Sequence, residues 1–209
     1  MDKLQQVIGG KSVLVHSLLA FERCEAVDEL ILVARVDQQE KLKTEASTNQ
    51  IRKLTRIIPG GAERQDSVWC GLENLSAQSE IVLIHDAARP CISSEVITRC
   101  VQTARDQGAA IPAVRVRDTI KRVSKDLQIR ETLDRSELWA AQTPQTFRVE
   151  LIRRAYKEVI DHKLMVTDDA AAVERLGHPV WIVESDPLNM KITIPEDFML
   201  AEIIFSNRQ

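Results

Sequence analysis

Asp86 and Arg89, an acidic and a basic residue, closely follow the short apolar run Ile81–Ile84. An uninterrupted run of strand-forming residues is typical of a strand buried on both faces, as in a parallel sheet. In open α/β sheets, ligands bind just beyond the carboxyl ends of the strands. A carboxylate at such a position can ligate a hard cation and a guanidinium can bind an anion, so this strand end is the predicted site.

Other polar features are expected at the same edge of the sheet. Lys191 adds a cation, and Gly60-Gly61 lies in a loop between a predicted strand and a predicted helix. Such glycines let backbone amides approach a ligand, although forming a turn is their simpler role. Ser67, near the start of that helix, can cap it or donate to a ligand. Lys3 is a further cation, for which solvated surface is the simplest interpretation.

These residue types favour chemistry at phosphorus. The sequence contains neither a Ser-His-Asp order nor a cluster of histidines and cysteines with metal-ligand spacing. An acid surrounded by cations suits a polyanionic substrate held with Mg²⁺, for which Asp86 is the candidate ligand. Phosphoryl and nucleotidyl transfer depend mainly on positioning and charge neutralisation. The residues alone therefore predict a phosphate-handling α/β enzyme.

Strands and helices alternate from residue 11 to residue 114, which is the signature of βαβ units in a doubly wound, mostly parallel, Rossmann-like sheet. The predicted strands cover 29–34, 55–58, 81–84, 109–114 and 180–183. The predicted helices cover 12–21, 38–46, 66–72, 93–107, 151–160 and 168–176, and a last helix begins at 195. Asp168 and Asp169 are interpreted as acids that cap a helix.

Residues 115–137 depart from this alternation and are rich in charges. β-branched residues alternate with the charges around a turn-like Ser124-Lys125-Asp126, which predicts a β-hairpin arm. A hairpin with little core to cover is marginal in water and gains stability against a partner. A second copy of the chain is the simplest partner, so a homodimer is predicted; a solvated charged flap is the alternative.

The composition excludes several classes of protein. The chain has 209 residues, of which 44% are apolar and 28% charged, as in one soluble domain with a real core. Its net charge of −3 gives no support for a nucleic-acid or membrane partner. The four cysteines are scattered, which favours reduced thiols. With neither a membrane-span run nor a transit peptide in the sequence, a cytoplasmic location is expected, or a plastid for a plant source.

Seven motifs occur in an order that resembles the 2-C-methyl-D-erythritol 4-phosphate cytidylyltransferase family, from about Lys3 to the C-terminus. They are GGAERQDSV at 60–68, HDAARP at 85–90, RDTIK at 117–121, LDRSELW at 133–139, AQTPQTF at 141–147, TDDA at 167–170 and NMKIT at 189–193. The family joins CTP to methylerythritol phosphate in the non-mevalonate route to isoprenoids. The resemblance implies this activity on a Rossmann-like nucleotidyltransferase fold.

The resemblance also implies a role for each site residue. Nucleotide binding is implied for Gly60, Gly61, Ala62, Ser67, Asp86 and Ala87. Contact with methylerythritol phosphate is implied for Asp86, Arg89, Thr119, Arg135, Thr167 and Lys191. A catalytic role is implied for the three cations Lys3, Arg135 and Lys191, and Mg²⁺ binding for Asp86.

The implied reaction is an in-line attack by the sugar phosphate on the α-phosphorus of CTP, with pyrophosphate leaving. Mg²⁺, Lys3 and Lys191 would spread the developing charge, and no residue need act as nucleophile. Thr119 and Arg135 lie on the arm, which in the family crosses a dimer and completes the neighbouring site. Arg135 would hold the attacking phosphate, for which a guanidinium offers a bidentate fork.

The sequence departs from the family pattern at its start, where the family has a strand and a glycine-rich loop of the type AAGxGxR. This difference has three alternative explanations: a misassigned start codon, a sequence that lacks its N-terminal part, and a truncated product. Because that loop grips the triphosphate, the chain as written is expected to bind CTP weakly and to turn over slowly. Without a central strand, the edges of the neighbouring strands are expected to be exposed.

Two rival functions remain at this point. Ribitol 5-phosphate cytidylyltransferases share the GG, DAxRP and arm layout, but LDRSELW at 133–139 is more similar to the methylerythritol enzyme. A rival of another class is a non-catalytic dimeric binding protein, derived from an enzyme that has lost its loop.

Overall fold

The computed structural model describes residues 3–207 of the chain. Its strands are β1 (Val7–Ile8), β2 (Lys11–Ser12), β3 (Leu30–Ala34), β4 (Leu54–Pro59), β5 (Ile81–Ile84), β6 (Ala109–Arg115), β7 (Lys121–Val123), β8 (Ile129–Thr132), β9 (Trp139–Ala141), β10 (Gln145–Arg148) and β11 (Trp181–Glu184). Its helices are α1 (Val13–Glu22), α2 (Gln39–Thr48), α3 (Arg64–Glu73), α4 (Ser94–Gln107), α5 (Val149–Asp161), α6 (Asp169–Arg175) and α7 (Pro195–Ser206). Short 3₁₀ helices occur at Lys3–Gln5, Val36–Gln38 and Arg135–Glu137.

The main sheet has five strands. β10 lies between β5 and β6 and is antiparallel to both, while β6 also pairs with β9 (antiparallel) and β11 (parallel). The α/β class is confirmed, but the sheet is mixed, so the expectation of mostly parallel pairing is corrected. The reason is that the chain leaves β6, makes the arm and returns along β6 as β9 and β10. A direct return without a crossover helix gives antiparallel neighbours.

Strand β5 is covered on both faces, as its apolar run predicts. Ile81 and Leu83 pack against a core cluster around α4, whereas Val82 and Ile84 pack against a second cluster around α5. Alternate side chains of a strand point to opposite faces, so four consecutive apolar residues serve two cores. This double anchoring positions the polar turn that follows Ile84.

The helix boundaries follow local capping chemistry. Ser12 Oγ accepts a hydrogen bond from the Val15 N–H at 3.2 Å, and Ser93 Oγ accepts one from the Val96 N–H at 3.3 Å. Gly108 ends α4 with a φ of +92°, and a Cβ there would lie 2.8 Å from His178 Cε1. A side chain at this position would meet both backbone strain and a steric clash.

A groove of about 820 Å³ separates β3 from β5. β3 pairs with β4 alone, and β5 pairs with β10 alone, within the part of the chain that the structure describes. Both strands therefore present an edge to the groove, as expected. Apolar side chains of α1, β3, α3 and β5 line most of its wall, while Arg64, Ser67, Asp86 and Ala87 also line it.

The arm is an antiparallel hairpin of β7 and β8, as predicted. Its apolar side chains are exposed in the single chain, with Val123, Leu127 and Ile129 at 47%, 81% and 59% exposure. Homodimerisation through this arm stays a prediction. No helix among the described residues has the length and apolarity needed to cross a bilayer.

Candidate active site

Asp86 lies in a tight turn at the end of β5. Its backbone N–H donates to Thr143 Oγ1 at 3.0 Å, and its carbonyl oxygen accepts from the Arg89 N–H at 2.9 Å. The Asp86 side chain is 17% exposed, so one face of the carboxylate reaches solvent. The turn therefore presents an acid at the strand end where the sequence predicts a site.

His85 stabilises this turn through both of its ring nitrogens. Its Nε2 lies 3.1 Å from the Arg89 carbonyl oxygen, and its Nδ1 lies 3.0 Å from Thr143 Oγ1. A carbonyl only accepts, so Nε2 carries the proton and Nδ1 accepts from the Thr143 hydroxyl. Burial beside Phe21 lowers the pKa of His85 to about 4, against a smaller opposing effect of the hydrogen bond to Arg89. The imidazole is thus neutral near pH 7.

The loop at residues 189–193 docks onto the same turn and delivers Lys191. The Ile192 N–H donates to the Ala88 carbonyl oxygen at 2.8 Å, and Arg89 Nη1 donates to the Asn189 carbonyl oxygen at 2.9 Å. Lys191 Nζ then donates to Asp86 Oδ2 at 2.7 Å. Residues 105 positions apart in the chain are therefore joined as the sequence analysis expects.

Cations determine the ionisation of Asp86. Partial burial alone would raise the pKa of this carboxyl, but the hydrogen bond and charge of Lys191 outweigh it, with help from Arg64 and Arg89. The pKa of Asp86 is consequently lowered from its usual value. Asp86 is an anion at neutral pH and offers oxygen ligands or acceptors to a substrate complex.

Arg89 has spare hydrogen-bonding capacity. Burial lowers its pKa against the opposing charge of Asp86, yet an arginine stays protonated at neutral pH. Its Nε is buried and has no hydrogen-bond partner in the described part of the chain. An unpaired buried donor costs free energy, and an anionic ligand is the kind of group that would satisfy it.

The glycine loop is shaped by close contacts with α3. The Gly61 N–H donates to Ser67 Oγ at 3.1 Å, and the Gly60 N–H donates to the Ala34 carbonyl oxygen at 3.3 Å. A Cβ on Gly61 would lie 2.3 Å from Asp66 Cβ, and one on Gly60 would lie 2.8 Å from Ser67 Oγ. The loop lies at the N-terminus of α3, where helix amides favour anions.

Arg64 was not assigned a role by the sequence analysis, although it belongs to the GGAER motif. Its Nη1 and Nη2 donate to Asp169 Oδ1 and Oδ2 at 3.0 and 2.7 Å, and its Nε lies 3.5 Å from Asp86 Oδ1. Two cations therefore flank the Asp86 carboxylate, Lys191 at one oxygen and Arg64 at the other.

The interpretation of both acids at 168–169 as caps is corrected by these contacts. Asp168 is the cap, since its Oδ1 accepts from the Ala171 N–H at 2.9 Å. Asp169 is fully buried and pairs with Arg64 instead. Its side chain faces inward from the first turn of α6, and the sequence pattern does not show which cation it pairs with.

The structure gathers only part of the predicted site set. Ser67, Asp86 and Ala87 line one groove, with Arg64 beside them, and Arg89 and Lys191 join through the turn at 85–90. Among residues 3–207, the other predicted residues make no hydrogen bond or ion pair with this cluster; they are Lys3, Thr119, Arg135 and Thr167. The exposed Ala62 follows the glycine pair directly.

Each of the remaining predicted residues has a defined place. Lys3 lies in the first 3₁₀ helix, where its charge helps to lower the pKa of Asp197, after larger effects of backbone hydrogen bonds to that carboxylate. Arg135 is on the arm, where its Nη1 donates to the Arg117 carbonyl oxygen at 2.9 Å. Thr119 is also on the arm, and Thr167 is exposed just before α6.

The chemistry of the Asp86 turn fits Mg²⁺ that is shared with phosphate. Among residues 3–207, no three His, Cys, Asp or Glu side chains cluster as a metal site. Mg²⁺ commonly uses one or two carboxylates and completes its shell with substrate phosphates and water. A single ionised carboxylate at a solvent-facing strand end meets that requirement.

Comparison with known proteins identifies the family. The IspD sequence model, described as 2-C-methyl-D-erythritol 4-phosphate cytidylyltransferase, matches residues 1–207. The chain belongs to this family. This membership confirms the resemblance drawn from the seven motifs and the α/β nucleotidyltransferase-like fold.

Individual members of the cytidylyltransferase family match nearly the whole chain. The protein of that name from Alkaliphilus metalliredigens is 41% identical over 209 residues, covering 100% of this chain and 87% of its own. The one from Symbiobacterium thermophilum is 43% identical, covering 93% and 81%. These names match the methylerythritol rather than the ribitol interpretation.

Solved structures of the family have the same fold. The 4-diphosphocytidyl-2C-methyl-D-erythritol synthase of Anaerococcus prevotii superposes with a TM-score of 0.88 at 31% identity, covering 96% of this chain and 88% of its own. The cytidylyltransferase of Thermus thermophilus gives 0.81 at 31% identity, covering 98% and 94%.

We expect Gly61→Ala to destabilise the protein by about 1–3 kcal/mol, because the new Cβ clashes with Asp66 and breaks the Gly61–Ser67 hydrogen bond. Gly71→Ala is the matched control. Its Cβ would meet Val33 Cγ2 at an ordinary 3.5 Å inside α3, so a gain of up to about 1 kcal/mol is expected. Urea unfolding measures both; equal effects would contradict the steric argument.

A second prediction concerns the pH dependence of stability. Native His85 titrates near pH 4 and unfolded histidine near 6.5, so the unfolded state takes up the proton first as the pH falls. The free energy of unfolding should lose about 3 kcal/mol between pH 6.5 and pH 4 from this residue alone. Above pH 6.5 that stabilisation is fully present.

The measurement is urea unfolding of the wild type and His85→Gln at several pH values. Glutamine can still donate to the Arg89 carbonyl but does not titrate, and contributions from the carboxylates cancel in the comparison. The variant should therefore show the weaker pH dependence. Parallel curves would mean that the pKa of His85 does not change on folding, contrary to its burial in the native state.

Proposed function

We propose that the protein transfers the cytidylyl group of CTP to 2-C-methyl-D-erythritol 4-phosphate, releasing pyrophosphate and 4-diphosphocytidyl-2-C-methyl-D-erythritol. The observation that carries this proposal is the Asp86 carboxylate held between Lys191 and Arg64, with Arg89 in the same turn. Family membership over the whole described chain supports the choice of substrates.

The nucleotide is proposed to bind on the β4–β5 side of the site. The glycine loop offers backbone groups of Gly60, Gly61 and Ala62 to the base, and Ser67 holds that loop through Gly61. Asp86 and Ala87 lie at the groove wall, where small side chains leave room for the ribose and phosphates. Hydrogen bonds from a backbone loop suit recognition of a planar base.

The sugar phosphate is proposed to bind on the side of Arg89 and Lys191, with Thr167 and the partner's arm completing the pocket. Arg89 Nε has no partner within the described residues and is suited to an anionic oxygen. Lys191 and Arg64 lie against Asp86, Arg64 also pairs with Asp169, and Arg89 adds a third positive charge that acts on Asp86. The cluster thus has a positive formal charge that favours polyanions.

In the proposed reaction, a phosphate oxygen of the sugar attacks the α-phosphorus of CTP in line. The new P–O bond forms as the bond from the α-phosphorus to the β-phosphate oxygen breaks, and pyrophosphate carries away the bonding electron pair. Lys191 leaves its hydrogen bond to Asp86 and donates to a phosphate oxygen instead, and Lys3 stabilises the triphosphate. Bound Mg²⁺, which Asp86 would hold, supplies charge neutralisation at the phosphates.

The arm is proposed to pair two copies of the chain and to bring Thr119 and Arg135 to the neighbouring site. Exposed apolar residues on the hairpin, among them Leu127 and Ile129, would be covered in such a dimer. Within one chain, the Arg135 guanidinium donates to the arm itself, at the Arg117 carbonyl oxygen. The thiols of Cys24, Cys70 and Cys100 are free, which suits a reducing compartment such as the cytoplasm.

The proposed function is tested by pyrophosphate release with CTP, Mg²⁺ and either methylerythritol phosphate or ribitol 5-phosphate. The expected kcat/KM is at least about tenfold higher with methylerythritol phosphate, as a site built for one polar substrate allows. A preference for ribitol phosphate would overturn the substrate assignment. Binding of CTP without turnover of either sugar phosphate would favour the non-catalytic binding module.

The shared site is tested by mixing Arg135→Ala with Lys191→Ala protein. Each variant alone should lose most activity, because each lacks one cation at every site. Random mixed dimers contain one intact site in half of the dimers, so equal mixing should restore about a quarter of wild-type activity. Arg130→Ala, which changes another exposed arginine of the arm, is the control and should stay active. No recovery on mixing would contradict a site completed in trans.

A further inference from the structure

An ion pair outside the predicted site set connects three helices. Asp169, at the start of α6, has no exposed surface and accepts two hydrogen bonds from Arg64, the first residue of α3. Tyr156 of α5, also fully buried, donates its hydroxyl to Asp169 Oδ1 at 2.5 Å. The carboxylate is thus paired and hydrogen-bonded, as a buried charge must be.

This arrangement fixes the plane of the Arg64 guanidinium. Two parallel N–H···O bonds from Nη1 and Nη2 orient a rigid planar fork, which a lysine ammonium cannot reproduce. The remaining edge of the fork, at Nε, then points towards Asp86 Oδ1 at 3.5 Å. The buried side of the guanidinium is held by Asp169, and the outer side faces the site.

The Asp86 carboxylate consequently has one cation at each oxygen. Lys191 is on a loop, with its side chain 40% exposed, and is able to exchange Asp86 for substrate. Arg64 is anchored in the protein and cannot leave Asp86 without breaking two hydrogen bonds to a buried acid. Of the two cations, the anchored one is therefore suited to hold the orientation of Asp86 during a reaction cycle.

We infer that Arg64 is a positioning residue, locked by Asp169, that fixes the orientation of the Asp86 carboxylate for nucleotidyl transfer. The inference rests on the proposed function for its kinetic consequence. The competing explanation is that the Arg64–Asp169 pair only stabilises the packing of the helices. Arg153 already ties α5 to α3 through hydrogen bonds to the Leu72 carbonyl oxygen at 2.7 and 3.2 Å. It therefore provides a matched control for helix packing.

The kinetic test compares Arg64→Lys, Asp169→Asn and the control Arg153→Gln. Arg64→Lys keeps the charge and loses the fork, so a fall in kcat reports orientation rather than charge. We expect kcat to fall at least about tenfold in the first two variants, with KM for methylerythritol phosphate within about twofold of wild type. Arg153→Gln should keep its kcat even if its thermal midpoint falls.

A second readout does not depend on activity. Crystal structures of the wild type and of the same variants should show a changed Asp86 rotamer in Arg64→Lys and Asp169→Asn but not in Arg153→Gln. Should Asp169→Asn fail to fold, Arg64→Lys decides, because the Arg64 side chain is 41% exposed. An unchanged Asp86 orientation overturns the inference whatever the kinetics, and so does an unchanged kcat in an active enzyme.

Failure of the proposed function would give a different result. In that case the wild type itself would release no pyrophosphate from CTP and methylerythritol phosphate. The Asp86 orientation in the variant crystals would still support or overturn the positioning role of Arg64.

Discussion

The partly buried carboxylate of Asp86 is stable only because cations lie on both sides of it, and much of the structure serves that requirement. Taking an acid out of water costs free energy unless opposite charge and hydrogen bonds replace the water. Lys191 and Arg64 supply the charge, and the turn at 85–90 supplies the backbone geometry. β5, β10, α3 and the loop at 189–193 are the elements that bring these groups together.

The cluster combines rigid and mobile parts in a way that suits a transfer reaction. Arg64 is anchored by the buried Asp169, and the turn is clamped by the neutral His85 and by Thr143. Lys191 is held by one exposed ion pair, which is weak enough to exchange for substrate. Because Asp86 is held in place while Lys191 can move, a polyanion can enter the site without unfolding it.

The sequence predicted most elements because their signals are local. Strand β5, the helix predicted at 93–107 and the hairpin arm each depend on a few neighbouring residues. The mixed sheet was missed because strand direction depends on the path of the chain after β6. The role of Asp169 was missed because a cap and an inward-facing ion pair share the same local pattern at a helix start.

By itself, the sequence determined which residues have the chemistry, namely Asp86, Arg89, Lys191 and the glycine loop, and on which strand ends and loops they lie. Only the tertiary structure decided that Lys191 and Arg64 flank the Asp86 carboxylate. Lys191 reaches Asp86 across 105 positions of the chain, and Arg64 is held beside Asp86 by Asp169, which is also 105 positions away from it. Periodicity and capping act over a few residues, whereas pairing of buried charges depends on how whole helices pack. The family resemblance assigned roles to Asp86, Arg89 and Lys191, whereas the packing of the helices determined that Arg64 and Asp169 join them.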